Sequence, residues 1–129
     1  MRFAYSFCDI KKKMPAHLSY YLGGQHLLAI YIIFVCEQNN EVIGYIHGSP
    51  YELLFSDSFV NVLGFVVKEK DRNQGVGSML IEHLEQWGKK NGFSGMKLLS
   101  HPSRIHAHRF YERRGYRFTK DQKNFIKKF

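Results

Sequence analysis

Residues 61–92, NVLGFVVKEKDRNQGVGSMLIEHLEQWGKKNG, constrain this chain more than any other stretch. They read as a buried strand, a glycine-punctuated turn and an amphipathic helix. Leu63, Phe65, Val66 and Val67 form an apolar, β-branched-rich run of strand length. Residues 68–73 are charged and polar, so the chain turns there. A helix then opens at Gln74-Gly75-Val76-Gly77. Val76, Leu80, Leu84 and Trp87 fall at i, i+4, i+8 and i+11, which is one apolar face. Glu82, Glu85, Gln86 and Lys89 take the wet side. Lys89 and Lys90 suit a helix C-terminus, and Asn91-Gly92 is a stop signal.

The turn carries the chemistry. Glycine at 75 and 77 lets a ligand approach the backbone closely. The first N–H groups of a helix have no internal partner, and the helix dipole is positive there. Together these make an anion site suited to phosphate or pyrophosphate. The spacing does not fit the common nucleotide motifs: there is no GxxxxGK[ST], and no third glycine completes GxGxxG. What stands in the turn is Arg72-x-x-Gly75-x-Gly77, directly after a strand.

Composition bounds the other options. The chain has 129 residues, one domain's length, and is 44% apolar and 16% aromatic, which argues against disorder. Its net charge of +8 is uneven: residues 101–129 hold nine Lys/Arg against two acids, or +7. Such a tail can bind nucleic acid, an acidic partner or a polyphosphate cofactor, and can also be a solvated face. The cofactor is the reading adopted, with no nucleic acid. Cys8 and Cys36 are the only cysteines and have no ligand spacing, so two free thiols and no metal site are expected. The longest apolar run, residues 27–36, is too short to span a bilayer and too far in for a signal segment. A soluble, cytoplasmic protein with no membrane partner is expected.

Along the chain, Phe3, Tyr5 and Phe7 alternate with polar or small residues and predict a first strand, ended by the polar residues 9–13. Pro15, Leu18, Tyr21 and Leu22 predict a short helix, interrupted at Gly23-Gly24. Residues 30–37 and 41–47 predict a hairpin turning at Asn39-Asn40. Residues 51–59 read equally as strand or loop. After the strand–turn–helix, residues 96–99 predict a short strand. Ser103 is placed to N-cap a helix over 104–114, closed by Gly115. Residues 116–119 and 124–129 predict a final strand pair. The order gives a single mixed-sheet α/β domain over 1–129 with a central β-α-β unit.

The helix segment RIHAHRFYERRG adds a second motif: Ala107, Phe110, Tyr111, Gly115 and Tyr116, preceded by Leu98-Leu99-Ser100 and Arg104. Arg72-x-x-Gly75-x-Gly77, followed by a strand and this second motif, resembles the GCN5-related N-acetyltransferase (GNAT) superfamily. Within it, the chain is similar to a bacterial subgroup with SxxxRxxAHxFYExxGY. The resemblance covers residues 30–129. It implies the GNAT (acyl-CoA N-acyltransferase) fold, a mixed central sheet with flanking helices, here with a shortened N-terminal region. It also implies acetyl-CoA as donor, and direct attack of an amine on the thioester in a ternary complex. The acceptor is expected to be a small molecule, with a protein N-terminus or lysine as an alternative. A non-catalytic acyl-CoA-binding domain is a further alternative.

By the same resemblance, Arg72, Asn73, Gln74, Gly75, Val76, Gly77 and Ser78 hold the pyrophosphate. Strands 61–67 and 96–100 splay apart, so that Val66 and Val67 present an open edge to pantetheine in the manner of strand addition. A backbone N–H near Val67 polarises the thioester oxygen. Tyr111 protonates the departing thiolate. Arg104 stands where many members carry Asn at a pantetheine contact. The acceptor ammonium must lose a proton before attack, so a base is needed. Glu52 is the first candidate because it precedes the central strand. Asp57 and Glu69 follow, then His47 and His101. Tyr20, Tyr21, Tyr31 and Phe34 can fill space left by the short N-terminal region or mark a homodimer interface.

Overall fold

The computed structural model describes residues 9–13, 21–22, 25–26 and 31–129, and the side chains of 9–13 and 31–129. The expected first strand at Phe3, Tyr5 and Phe7, and the start of the expected helix at Pro15 and Leu18, lie outside these residues. The chain divides into two compact units, Met1–Leu98 and Leu99–Phe129.

The first unit is built on a five-stranded mixed sheet in the order β1-β4-β5-β6-β7. The strands are β1 (Asp9–Lys13), β4 (Ile32–Gln38), β5 (Glu41–Tyr51), β6 (Phe59–Val67) and β7 (Gly95–Leu98). Neighbours run antiparallel except β6 and β7, which are parallel and joined through helix α1 (Val76–Lys90). This is the expected β-α-β unit. Two short strands, β2 (Tyr21–Leu22) and β3 (Gln25–His26), pair separately. Tyr21 and Leu22 are thus strand, not helix. Tyr21–Leu22 pairs antiparallel with Gln25–His26, so two strand runs stand where the sequence suggested an interrupted helix.

Residues 9–13 also differ from expectation: they form β1 rather than ending a strand. The polarity belongs to a sheet edge. Only Ile10 is half-buried, and Lys11 donates to Glu37 of β4 at 2.6 Å. Lysine-rich edges of this kind discourage pairing with a further strand. Cys36 of β4 is fully buried and disulfide-bonded, which corrects the expectation of two free thiols.

The core lies between the sheet and α1. Ile32, Ile46 and Val60 of the strands meet Leu80, Ile81 and Leu84 of the helix, all at most 1% exposed. Ile81 joins the predicted apolar face, and Trp87 instead stacks on Phe93 at its margin. Close approach explains Gly48: a Cβ there would lie 2.9 Å from a methyl of Leu84 and 3.0 Å from Val60. Helix α1 ends as its sequence requires. Gly92 takes φ 84°, Phe93 N–H donates to Gly88 and Gly92 N–H to Lys89, satisfying the last carbonyls.

The second unit holds α2 (Ile105–Arg113). The helix is one residue shorter at each end than predicted, and Ser103 does not cap it. The Ser103 hydroxyl and N–H instead engage His101 Nδ1 at 2.8 and 3.1 Å. The C-terminus follows prediction: Gly115 has φ 90°, and Tyr116 N–H donates to the Tyr111 carbonyl. The Tyr111 and Tyr116 rings meet across this stop at 5.9 Å. The expected final strand pair does not form. Residues 116–129 have no regular structure, and Phe118, Phe125, Ile126 and Phe129 are exposed. Their aromatic and β-branched side chains have strand propensity, but a strand needs a hydrogen-bonded neighbour, and propensity alone does not supply one.

Candidate functional site

Strand β6 leads directly into the predicted anion turn. After Val67 the chain makes one 3-10 turn, Glu69–Asp71, and Arg72 leaves it in extended conformation. Asn73 at φ 61° and Gly75 at φ 87° are both left-handed. Such residues point successive N–H groups into a common concavity. Helix α1 begins at Val76 with Gly75 as its N-cap, without a side-chain cap hydrogen bond. The first turn carries no acidic residue. A 15-residue helix therefore opens on uncapped N–H groups at the positive end of its dipole. An external anion is what this geometry accommodates.

Arg72 is exposed beside the turn. Its Nε donates to the Val67 carbonyl at 2.9 Å, tying the guanidinium to the end of β6. Gln74 reaches back to the Lys70 carbonyl at 3.4 Å. Val66, Val67, Arg72, Asn73, Gln74, Gly75, Val76, Gly77 and Ser78 thus form one continuous strand–turn–helix. Lys68 also pairs with Glu41, closing the base of the turn against β5.

The edge of β6 meets a second requirement. β7 pairs with β6 only over residues 59–62, whereas β5 pairs with it as far as Val67. Residues 63–67 run on past the last β7 partner, as a splayed edge demands. The β5–β6 ladder also shifts register here: His47 faces Gly64 but Gly48 faces Val62. Leu63 is the extra, bulged residue, half-exposed. Sequence reasoning did not find this bulge; its signal is the pair Leu63-Gly64 interrupting a β-branched run. It also passed over Asp71, which is buried with Oδ2 lacking a hydrogen-bond partner. Nothing in the sequence separates Asp71 from its charged neighbours.

The catalytic candidates are dispersed. Glu52 and Asp57 are exposed on the loop before β6, and Glu69 is exposed in the 3-10 turn. Glu52 precedes the start of β6 and the anion turn follows its end. The strand's length alone separates those ends by roughly 25 Å. His101 is exposed and occupied by Ser103. His47 is half-buried on β5. In the second unit, Tyr111 is buried at 9% exposure, with Phe110 edge-on at 5.6 Å. Burial raises the Tyr111 pKa, opposed by the charge of Arg104. The phenol therefore keeps its proton through neutral pH and is a donor there.

Among the described residues, no group of three His, Cys, Asp or Glu side chains is placed to hold a metal ion. Among them too, no helix is long and apolar enough to cross a membrane.

Comparison with known proteins agrees with this geometry. The model of the acetyltransferase (GNAT) family matches residues 4–116, across both units. No curated protein matches. An aminoglycoside acetyltransferase from an uncultured soil metagenomic sample, solved in complex with trehalose, superposes with TM-score 0.77. It is 15% identical, over 96% of this chain and 97% of its own. The aminoglycoside acetyltransferase AAC(6')-Iy, solved with a bisubstrate analogue of CoA and acetylneamine, gives 0.74 at 20% identity, over 94% and 98%. A transcriptional regulator from Bacillus halodurans C-125 gives 0.72 at 16%, over 92% and 99%. These likenesses show a shared fold.

Proposed function

Because this chain belongs to the acetyltransferase (GNAT) family, and so is an acetyl-CoA-dependent N-acetyltransferase, we propose that its acceptor is the primary amine of a small molecule, attacked directly in a ternary complex. The observation that carries the reading is the uncapped start of α1 behind left-handed Asn73 and Gly75. Acetyl-CoA supplies an activated acyl group on a leaving thiol. Arg72 and the backbone N–H groups of residues 73–78 bind its pyrophosphate. Val66 and Val67 offer the amides of a free strand edge to the pantetheine arm, and the Val67 N–H polarises the thioester oxygen. Arg104 adds a pantetheine contact in this reading.

Tyr111 holds the proton that ends on the departing sulfur. A thiolate is already fairly stable near neutrality, since a thiol pKa is only about 8.5. The benefit therefore sits at the low end of general-acid effects, roughly a hundredfold. The amine proton needs a base; Glu52, the first carboxylate candidate in the sequence, is exposed on a loop a strand's length from the anion turn.

The small-molecule preference draws on the aminoglycoside acetyltransferases among the similar structures. The reading places the chain in the cytoplasm, where acetyl-CoA is held, with no nucleic-acid partner. The exposed Phe118, Phe125, Ile126 and Phe129 favour association of two copies.

The test is mass spectrometry of acetylated products after incubation with acetyl-CoA and a panel holding sisomicin, neamine, polyamines and peptides. Acetylation of small amines is expected. Exclusive acetylation of peptide N-termini or lysines would replace the small-molecule acceptor with a protein one. Binding of acetyl-CoA without any product would contradict the enzymatic reading.

A further inference from the structure

One polar atom near the centre of the sheet is unaccounted for. His47 lies on β5, and its Nε2 is shut from solvent without a hydrogen-bond partner. Such an atom forfeits its hydration and gains nothing in return, so a native structure needs a reason to keep it. The ring sits beside the bulge, where His47 faces Gly64 and the register shifts at Gly48.

The face it occupies follows from the register. Ile46 and Gly48 turn toward α1, since Ile46 is fully buried and Gly48 abuts Leu84. His47 therefore turns to the opposite face, with Tyr45 and Tyr31. The Tyr31 ring lies 5.2 Å away at a tilt. A Cβ at position 64 would lie 3.1 Å from the Tyr45 ring, so glycine is what lets that ring lie across β6. Across the ladder His47 meets Ile33 and Gly64, neither of them titratable. The registers put Lys11 and Lys13 of β1, with Glu37 that pairs with both, on this face beside the phenols of Tyr31 and Tyr45, and further along β5 Lys97 lies over the Tyr51 ring. Burial alone lowers the His47 pKa, with no charged neighbour contributing. The imidazole is neutral at pH 7.

We propose that His47 is the catalytic base that takes the proton from the acceptor ammonium, on the sheet face opposite α1. The proposal rests on the acetyltransferase reading and replaces Glu52 in that role. Position favours it: His47 faces Gly64, three residues before the end of β6, roughly 10 Å from the strand end that feeds the anion turn. Glu52 lies beyond the strand's far end and is solvated.

The step balances simply. The acceptor arrives as an ammonium. One N–H bond breaks and its proton moves to Nε2, leaving imidazolium and a neutral amine. The amine lone pair forms the C–N bond to the acyl carbon as the C–S bond breaks. A second amine proton balances the one acquired by the departing sulfur, and Nε2 gives up the first as the acetylated product leaves and opens the site to water.

Two measurements test this. Long-range proton–nitrogen NMR on the intact wild-type protein reads the His47 tautomer without any acceptor. The proposal requires the proton on Nδ1 and a free lone pair on Nε2; an Nε2–H tautomer overturns it. Kinetics with acetyl-CoA and sisomicin or neamine, from pH 5 to 9, then compare wild type, His47→Gln and Glu52→Gln. His47→Gln is expected to lower kcat/KM about a hundredfold at pH 7. Its remaining activity should climb about tenfold per pH unit, following the free-amine fraction. CoA affinity and melting temperature should hardly change. A loss below threefold with an unaltered pH profile overturns the proposal, as does finding the large loss in Glu52→Gln instead. If wild type acetylates neither amine, the small-amine reading fails on its own, and the tautomer alone decides the role of His47.

Discussion

The two units of this molecule are held together by different means. In the first, sheet and helix share a dry core in which Ile32, Ile46, Val60, Leu80, Ile81 and Leu84 are wholly buried. In the second, Tyr111 is the one buried apolar side chain, and order comes from local devices. These are the His101–Ser103 turn, the Gly115 helix stop, the Tyr111–Tyr116 ring contact and the His108–Ser100 hydrogen bond at 3.1 Å. Stability therefore resides in the first unit, and it is the first unit that carries the anion turn. A phosphate site made of backbone N–H groups works only if the backbone is fixed, and packing of α1 on the sheet fixes it. Residues 99–129 hold the proposed acid, whose geometry depends on one short helix.

Substitutions should separate the two units. Leu84→Ala removes a fully buried side chain of the first unit and should cost about 2–5 kcal/mol, read by chemical denaturation. Phe125→Ala in the tail should cost less than about 0.5 kcal/mol in the monomer. Equal losses would break the comparison. Tyr111→Phe keeps the ring and its packing. It should lower kcat about a hundredfold with CoA affinity and melting temperature nearly unchanged. A loss below threefold would make Tyr111 a core aromatic only. A large fall in stability would make its hydroxyl a structural partner.

Gly48→Ala should destabilise by about 1–3 kcal/mol, because its Cβ meets Leu84 and Val60 at 2.9 and 3.0 Å. Gly92→Ala has nothing within 4 Å to meet and pays only for its φ of 84°. A smaller cost at Gly48 than at Gly92 would mean that α1 can lift from the sheet.

The smallest effect is one of pH. Burial lowers the folded pKa of His47. Its contribution is therefore fully present above the unfolded value of about 6.5 and is lost as pH falls through the lower folded value. Wild type should lose stability over that acid window, and His47→Gln should lose less of it. Identical pH–stability curves would mean that the ring is solvated.

How much was legible in the sequence follows the same division. The strand–turn–helix was readable because its signals are local: an apolar period, two glycines and a terminal Asn-Gly. Gly115 was readable as a helix stop for the same reason. Residues 9–13 were not, because an edge strand carries its lysines where an interior strand carries apolar residues. Ser103 has the right chemistry for a cap, but His101 competes for its hydroxyl. The side chains of Phe118, Phe125, Ile126 and Phe129 record a strand propensity without recording a partner. The bulge at Leu63 and the burial of His47 Nε2 both depend on how strands pair and pack, which no window of sequence displays.

The central claim is that the uncapped start of α1, shaped by left-handed Gly75, binds the pyrophosphate of acetyl-CoA. Isothermal calorimetry of CoA binding to wild type and Gly75→Val tests it most directly. Valine at φ 87° is strained by about 1–2 kcal/mol and puts a branched side chain where phosphate must approach. A folded variant with no detectable CoA binding is the predicted result. A folded variant that binds CoA as tightly as wild type would contradict it.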